Sequence, residues 1–294
     1  INFVPGIVPG LGMAINCFTK PGDKIMIMPP VYHPFAWLVT RNNRRLVECP
    51  LKEVDGHYRM DLDLIRRSIK GVQVLILCNP HNPGGVVWKK EELQELAEIC
   101  ADDNVIVFSD EIHADLLLNP EAKHIPIASL NEAIAQKSIT LMAPSKTFNI
   151  AGLQASFAII PNAELRKRFQ KTMGSMVGGV NLLGLCALKA AYTDGDAWLK
   201  ALRLYLSENL KMVQDFVAKN PKLKLLNQEA TFLAWIDASA LHVKSPYAFF
   251  LSFGVGLSDG EPFGNKQFVR LNFGTQRATL KAILERMQNA MDSL

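Results

Sequence analysis

The run VQVLILC at 72–78 is apolar apart from Gln73. A strand of that composition is favourable only when both of its faces are covered, so it belongs inside a layered sheet. Runs of the same kind recur at KIMIMPP (24–30), RRLVECPL (44–51), VIVFSD (105–110), SITLMA (138–143) and SFAII (156–160). Between them lie helical patterns: PFAWLVTRNN (34–43), DLDLIRRSIK (61–70) with Asp61 as N-cap, and KKEELQELAEICADDN (89–104). The last places Leu93, Leu96, Ala97 and Cys100 on one face at the i, i+3, i+4, i+7 spacing of an amphipathic helix. Apolar strands alternating with amphipathic helices predict an α/β fold, a mostly parallel sheet sandwiched by helices.

The last third reads differently. Long helical patterns at about 182–193 and 196–219 precede TFLAWID (231–237), QFVRLNF (267–273) and a terminal helix at 277–293. This order predicts a smaller α+β C-terminal domain over 196–294, after a large domain over 1–195. A chain of 294 residues has ample length for both.

Charge and cysteine usage exclude several function classes. The net charge is +4, and the densest basic run, RKRFQK (166–171), alternates with apolar positions as a solvated helix face does, which argues against nucleic-acid or membrane-surface partners. No apolar run approaches the roughly 20 residues of a membrane span. Cysteines 17, 49, 78, 100 and 186 are odd in number and lack CxxC spacing, so they read as buried thiols in a reducing compartment, here expected to be the cytoplasm, with no metal site. The opening INFVPGIVPG has no initiator Met and no leader pattern; it reads as the interior of a fold and predicts a segment upstream.

In sheets of this class ligands bind beyond the carboxyl ends of the strands. There stand NPHNPGG after 72–78, SDEIHAD with Asp110, Glu111 and His113 after 105–108, and APSKT with Lys146 after 138–142. Taken singly these are a turn, a helix cap and a surface lysine; taken together they define a candidate site. A lysine at the end of a buried strand is desolvated and has a lowered pKa, as a nucleophilic lysine requires. A lysine that binds pyridoxal phosphate needs an acid for the pyridine nitrogen and phosphate donors at a helix N-terminus. GIVPGLGMAINCF (6–18), a glycine-bearing turn opening a helix, is either such a donor or an ordinary loop–helix junction.

NPHNPGG, SDEIHAD, SKTFNIAGLQ and FVRLNFGT occur in the order and near the spacing of fold type I pyridoxal-phosphate enzymes, and the chain resembles the class I/II aminotransferase family from Gly6 to its final helix. PPVYHPF, CNPHNPGG, SDEIHADL and APSKTFNIAGLQ are most similar to the cystathionine β-lyase-like C–S lyase branch. The resemblance implies that Lys146 is the Schiff-base and catalytic lysine and Asp110 the partner of the pyridine nitrogen. It implies that Asn82 bonds the phenolic oxygen and lies beside the substrate, with Asn82–Pro83 cis, and that Tyr32 stacks on the ring. Backbone amides of Ile7 and Val8 and the hydroxyl of Ser145 would hold the phosphate. His113 falls where many aminotransferases keep a tyrosine. Gln154 stands where many relatives keep an arginine against the phosphate, and the lyase branch tends to carry glutamine there. Arg270 would grip the substrate α-carboxylate, and an arginine in so apolar a strand independently needs an anionic partner.

The implied activity is β-elimination from an L-amino acid with sulfur at Cβ, such as cystathionine or cysteine, giving a thiol, pyruvate and ammonia. An aminotransferase of the same family is the nearest alternative; a regulatory protein that keeps the cofactor site and binds a partner is a second. The family also implies a homodimer, with an active-site tyrosine supplied across the interface from the upstream segment.

Overall fold

A computed structural model describes residues 1–294. Its main sheet contains β1 (Asn2–Val4), β2 (Lys24–Ile27), β3 (Arg45–Glu48), β6 (Val72–Cys78), β7 (Ile106–Asp110), β8 (Ser138–Met142) and β9 (Ser156–Ile159). Between β3 and β6 a small hairpin forms from β4 (Lys52–Val54) and β5 (His57–Arg59). Helices α1 (Ile7–Phe18), α2 (Pro34–Arg41), α3 (Leu62–Ser68), α4 (Lys90–Asp102), α5 (Glu132–Ala135), α6 (Ala163–Met176) and α7 (Leu182–Asp194) accompany this sheet in sequence. The order across it is β1-β9-β8-β7-β6-β2-β3. The five strands from β8 to β3 are parallel, whereas β9 and β1 run antiparallel to their neighbours at one edge.

VQVLILC is β6 residue for residue, and its apolarity has the expected cause. Val74, Ile76 and Cys78 pack on one face with Leu11, Phe35 and Phe169, while Leu75 and Leu77 pack on the other with Ile65, Leu93 and Leu96. The α4 stripe is buried as its spacing predicts, and the Asp61 side chain caps α3 by accepting from the Leu64 N–H at 3.1 Å. The cysteine expectation needs one correction. All five thiols are free and Cys49, Cys78 and Cys100 are buried, but Cys17 is half-buried and Cys186 exposed.

After α7 come the 24-residue helix α8 (Asp196–Lys219), β10 (Lys224–Leu225), β11 (Leu233–Asp237), α9 (Pro246–Ser252), β12 (Ser258–Asp259), β13 (Phe268–Asn272) and α10 (Arg277–Met291). The four strands form an antiparallel sheet in the order β10-β11-β13-β12. The core built on this sheet and on α8 and α10 takes in Leu116 and Leu118 from the segment after β7. No helix is long and apolar enough to cross a membrane.

Strand order locates the site. The chain leaves β2 toward β3, returns to β6, and then proceeds the opposite way through β7 and β8. The reversal lies between β2 and β6, and a crevice opens beyond the carboxyl ends of strands at such a point.

Candidate active site

A cavity of about 400 Å³ occupies that crevice. Tyr32 reaches it from the turn after β2, Asn82 from the turn after β6, Asp110 and His113 from the end of β7, and Ser145 and Lys146 from the turn after β8. Arg270 enters from β13, and Ile7 and Val8 from the first turn of α1. The sequence-predicted residues therefore converge, with one exception. Gln154 ends a 3₁₀ turn in the left-handed region at φ 49°, is exposed, and does not line the cavity. The turn between β8 and β9 leaves it at the surface.

Helix α1 opens with Gly6 at φ 139°, a backbone conformation strained for any residue with a Cβ. No side chain caps the helix and its first turn has no acidic residue. The leading N–H groups and the positive end of the helix dipole thus meet the cavity without an anion of the protein's own.

Asp110 is buried, and Oδ1 accepts the Ile112 N–H at 3.2 Å. Burial pushes its carboxyl up to about 7; the neighbouring Glu111 adds to the rise and Lys146 opposes it. A protonated ring nitrogen would supply the counter-charge this carboxylate lacks. His113 is also buried, and burial, with Lys146 and Arg270 nearby, lowers its pKa to about 3, so the imidazole is neutral at physiological pH. Its Nδ1 has no partner.

Arg270 donates from Nη1 to Asn82 Oδ1 at 2.9 Å and from Nη2 to Ser258 Oγ at 3.3 Å, and its Cζ lies 4.6 Å from the Phe263 ring centroid. Burial lowers its pKa to about 10. No carboxylate of the chain pairs with it, and its buried Nε has no acceptor. A guanidinium in this state is suited to an external carboxylate. Tyr32 is half-buried, edge-on to Phe35 at 5.9 Å between ring centroids, and burial followed by Asp110 raises its pKa. The Asn82–Pro83 bond is cis, as the motif implied.

Lys146 stands past the end of β8, as its place after the 138–142 run predicts, and is exposed to the crevice, facing a second cavity as well as the first. The crevice walls still desolvate it, and with the Arg270 charge they lower its pKa, while Asp110 pulls it the other way.

Other wall residues escaped the sequence reading: His33, Ile112, Phe232, Leu233 and Asn272. Phe232 and Leu233 belong to TFLAWID, which has the pattern of a plain core strand. Ser258, which holds Arg270, comes from a two-residue strand with no motif to mark it.

These charges make acid stability predictable. His81 and His113 have pKa values lowered to about 3 by burial, below the ordinary 6.5, so the unfolded chain takes up their protons first. Their stabilisation is present above pH 6.5 and is lost as pH falls toward 3. Asp110, raised from 3.8 to about 7, acts with the opposite sign and favours the fold as pH falls through that window. Two histidines outweigh one carboxyl. The urea midpoint of ligand-free protein is therefore expected to fall from pH 7 to pH 5, and to fall more steeply in Asp110→Asn. A midpoint that rises on acidification would contradict the assignment.

The donor set fits pyridoxal 5'-phosphate: an open helix N-terminus for an anion, an unbalanced carboxylate for a protonated nitrogen, and an unpaired guanidinium for a substrate carboxylate. The comparisons with known proteins agree. Residues 1–287 match the family described as Aminotransferase class I and II. The chain is 41% identical to cystathionine beta-lyase PatB of Bacillus subtilis, over 99% of this chain and 77% of that one. The crystal structure of cystalysin from Treponema denticola, which contains pyridoxal 5'-phosphate, superposes with a TM-score of 0.96 at 36% identity, covering 99% of this chain and 76% of that one. A pyridoxal-phosphate-bound C–S lyase from Staphylococcus hominis gives a TM-score of 0.91 at 34% identity, covering 98% and 77%. Shared fold, matching cavity and whole-chain similarity lead to one assignment: the chain belongs to the class I and II aminotransferase family, in its fold type I C–S lyase branch.

Proposed function

We propose that this protein is a pyridoxal-phosphate-dependent carbon–sulfur β-lyase that converts an L-amino acid with sulfur at Cβ, such as cystathionine or cysteine, into a thiol, pyruvate and ammonia with uptake of water. The observation that carries the reading is the meeting of Lys146, Asp110 and Arg270 in one cavity at the sheet's switch point. The open N-terminus of α1, through Ile7 and Val8, and the Ser145 hydroxyl would hold the cofactor phosphate, Asn82 its phenolic oxygen, Tyr32 its ring face, and Asp110 the proton on its ring nitrogen. Pyridoxal phosphate bound there supplies a sink for the electron pair released at the substrate Cα.

Arg270 binds the substrate carboxylate, and Asn82 keeps the guanidinium in place through the 2.9 Å bond to its Oδ1. That grip turns the Cα–H toward Lys146. Lys146, with its lowered pKa, accepts the Cα proton at Nζ. The Cβ–S bond then breaks and the sulfur leaves as thiolate. His113, held neutral, adds no charge to the wall.

The same reading makes the protein a cytoplasmic homodimer with a large domain over 1–195 and a small one over 196–294. Free cysteines support a reducing compartment, and the exposed Leu182 and Leu183 support a covered face on α7. An aminotransferase would share every step through proton removal, so the discriminating measurement is pyruvate release. Purified protein is expected to form pyruvate from L-cystathionine with no 2-oxo acid added. Conversion of an added 2-oxo acid into its amino acid, with no pyruvate released, would overturn the lyase reading in favour of transamination.

A further inference from the structure

The residue that follows Asp110, just past the end of β7, is a second buried carboxylate. The Glu111 side chain has 0% exposure; Oε1 accepts from Ser109 Oγ at 2.8 Å, and Oε2 lies 2.7 Å from His124 Nε2. Ser109 and Glu111 are two residues apart and share a side of the chain, opposite to the intervening Asp110. Accordingly Asp110 lines the cavity and Glu111 does not. His124 itself is mostly enclosed, at 11% side-chain exposure.

The segment from Glu111 to Ile125 is closed at its far end on two partners. His124 returns to Glu111, and the adjoining Ile125 carbonyl accepts from Asn79 Nδ2 at 2.9 Å. Asn79 in turn donates its backbone N–H to the Asp110 carbonyl at 2.9 Å. This closed segment supplies the Ile112 N–H that holds Asp110 and the His113 imidazole in the cavity wall.

We propose that Glu111 and His124 are a positioning pair for the cofactor site: they satisfy the Glu111 charge on the far side of β7 and lock the 111–125 segment, so that Asp110 is the one unbalanced carboxylate presented to the cofactor. This rests on the cofactor reading above. Removing His124 leaves the buried Glu111 carboxylate with Ser109 Oγ as its remaining hydrogen-bond donor and Oε2 without a partner. That anion raises the pKa of groups near it, and those facing Asp110 are Tyr32, Cys78, His113, Lys146 and Arg270; Glu111 faces Ser109 and His124.

The test titrates apo protein with pyridoxal phosphate by tryptophan fluorescence, then follows the visible absorbance of the loaded protein against pH. His124→Phe is expected to weaken cofactor binding about tenfold. It is also expected to move the pH midpoint of the visible band upward. Adding Glu111→Gln to His124→Phe removes the stranded anion and should return the midpoint to the wild-type value. His124→Gln, which keeps an N–H for Glu111, should fall between, and it carries the comparison if the phenylalanine variant does not fold. Wild-type affinity and midpoint in folded His124 variants would overturn the proposal. So would a midpoint that stays shifted in the double variant, because the effect would then be steric. Wild-type protein that takes up no pyridoxal phosphate would overturn the cofactor reading itself and this inference with it.

Discussion

Lys146→Ala is expected to lower pyruvate formation about 10⁴-fold or more while leaving the fold intact. Lys146 is exposed to the crevice and contributes little to the core, so its truncation costs contacts that solvent replaces. What it removes is the one amine facing the cavity. His113 is too weak a base, with a pKa lowered to about 3, and Arg270 holds its protons at any working pH. Asp110, although raised to about 7, is committed to the ring nitrogen in the proposed arrangement. The measurement is turnover of L-cystathionine together with a urea midpoint and the visible spectrum of the cofactor-loaded protein. A variant with the wild-type spectrum, or with turnover within about tenfold of wild type, would remove Lys146 from the site.

Asp110→Asn is the second large effect. The substitution keeps the shape of the side chain and an acceptor for the Ile112 N–H, but it cannot carry a negative charge. The proton at the ring nitrogen then loses its counter-ion in a cavity where burial makes each charge count. Turnover is expected to fall about 10²–10³-fold, with the KM for the amino acid little changed because Arg270 and Asn82 still hold the carboxylate. An effect confined to KM would reassign Asp110 from the cofactor to the substrate.

Much of this site could be read without coordinates, for a physical reason. A parallel strand covered on both faces must be apolar along its length, so β6 is visible as VQVLILC and its end is visible as the first polar turn, NPHNPGG. Asp110 and Lys146 follow in the same way from β7 and β8. The antiparallel edge was not legible. SFAII reads as one more apolar run, and neither its reversed direction nor its pairing with the three-residue β1 leaves a local trace. Lys146 follows a strand end and is desolvated there, as that position implies, though by the walls of a crevice. Strand-end position indicates proximity to the crevice, but the depth of the crevice depends on elements far away in sequence. Gln154 shows the same limit, since a position eight residues after Lys146 does not say which way the intervening turn folds.

The sequence by itself determined the layered α/β class, the strand ends and the residue types at them, because each rests on hydrophobic periodicity or turn chemistry over a few neighbouring positions. Only the tertiary structure decided which of those residues meet. Arg270 reaches Asn82 across 188 residues of chain, and Glu111 turns away from the cavity to His124 while Asp110 beside it turns in. Those meetings follow from strand order, register and the packing of three cores, which are summed over many weak contacts and written in no single motif.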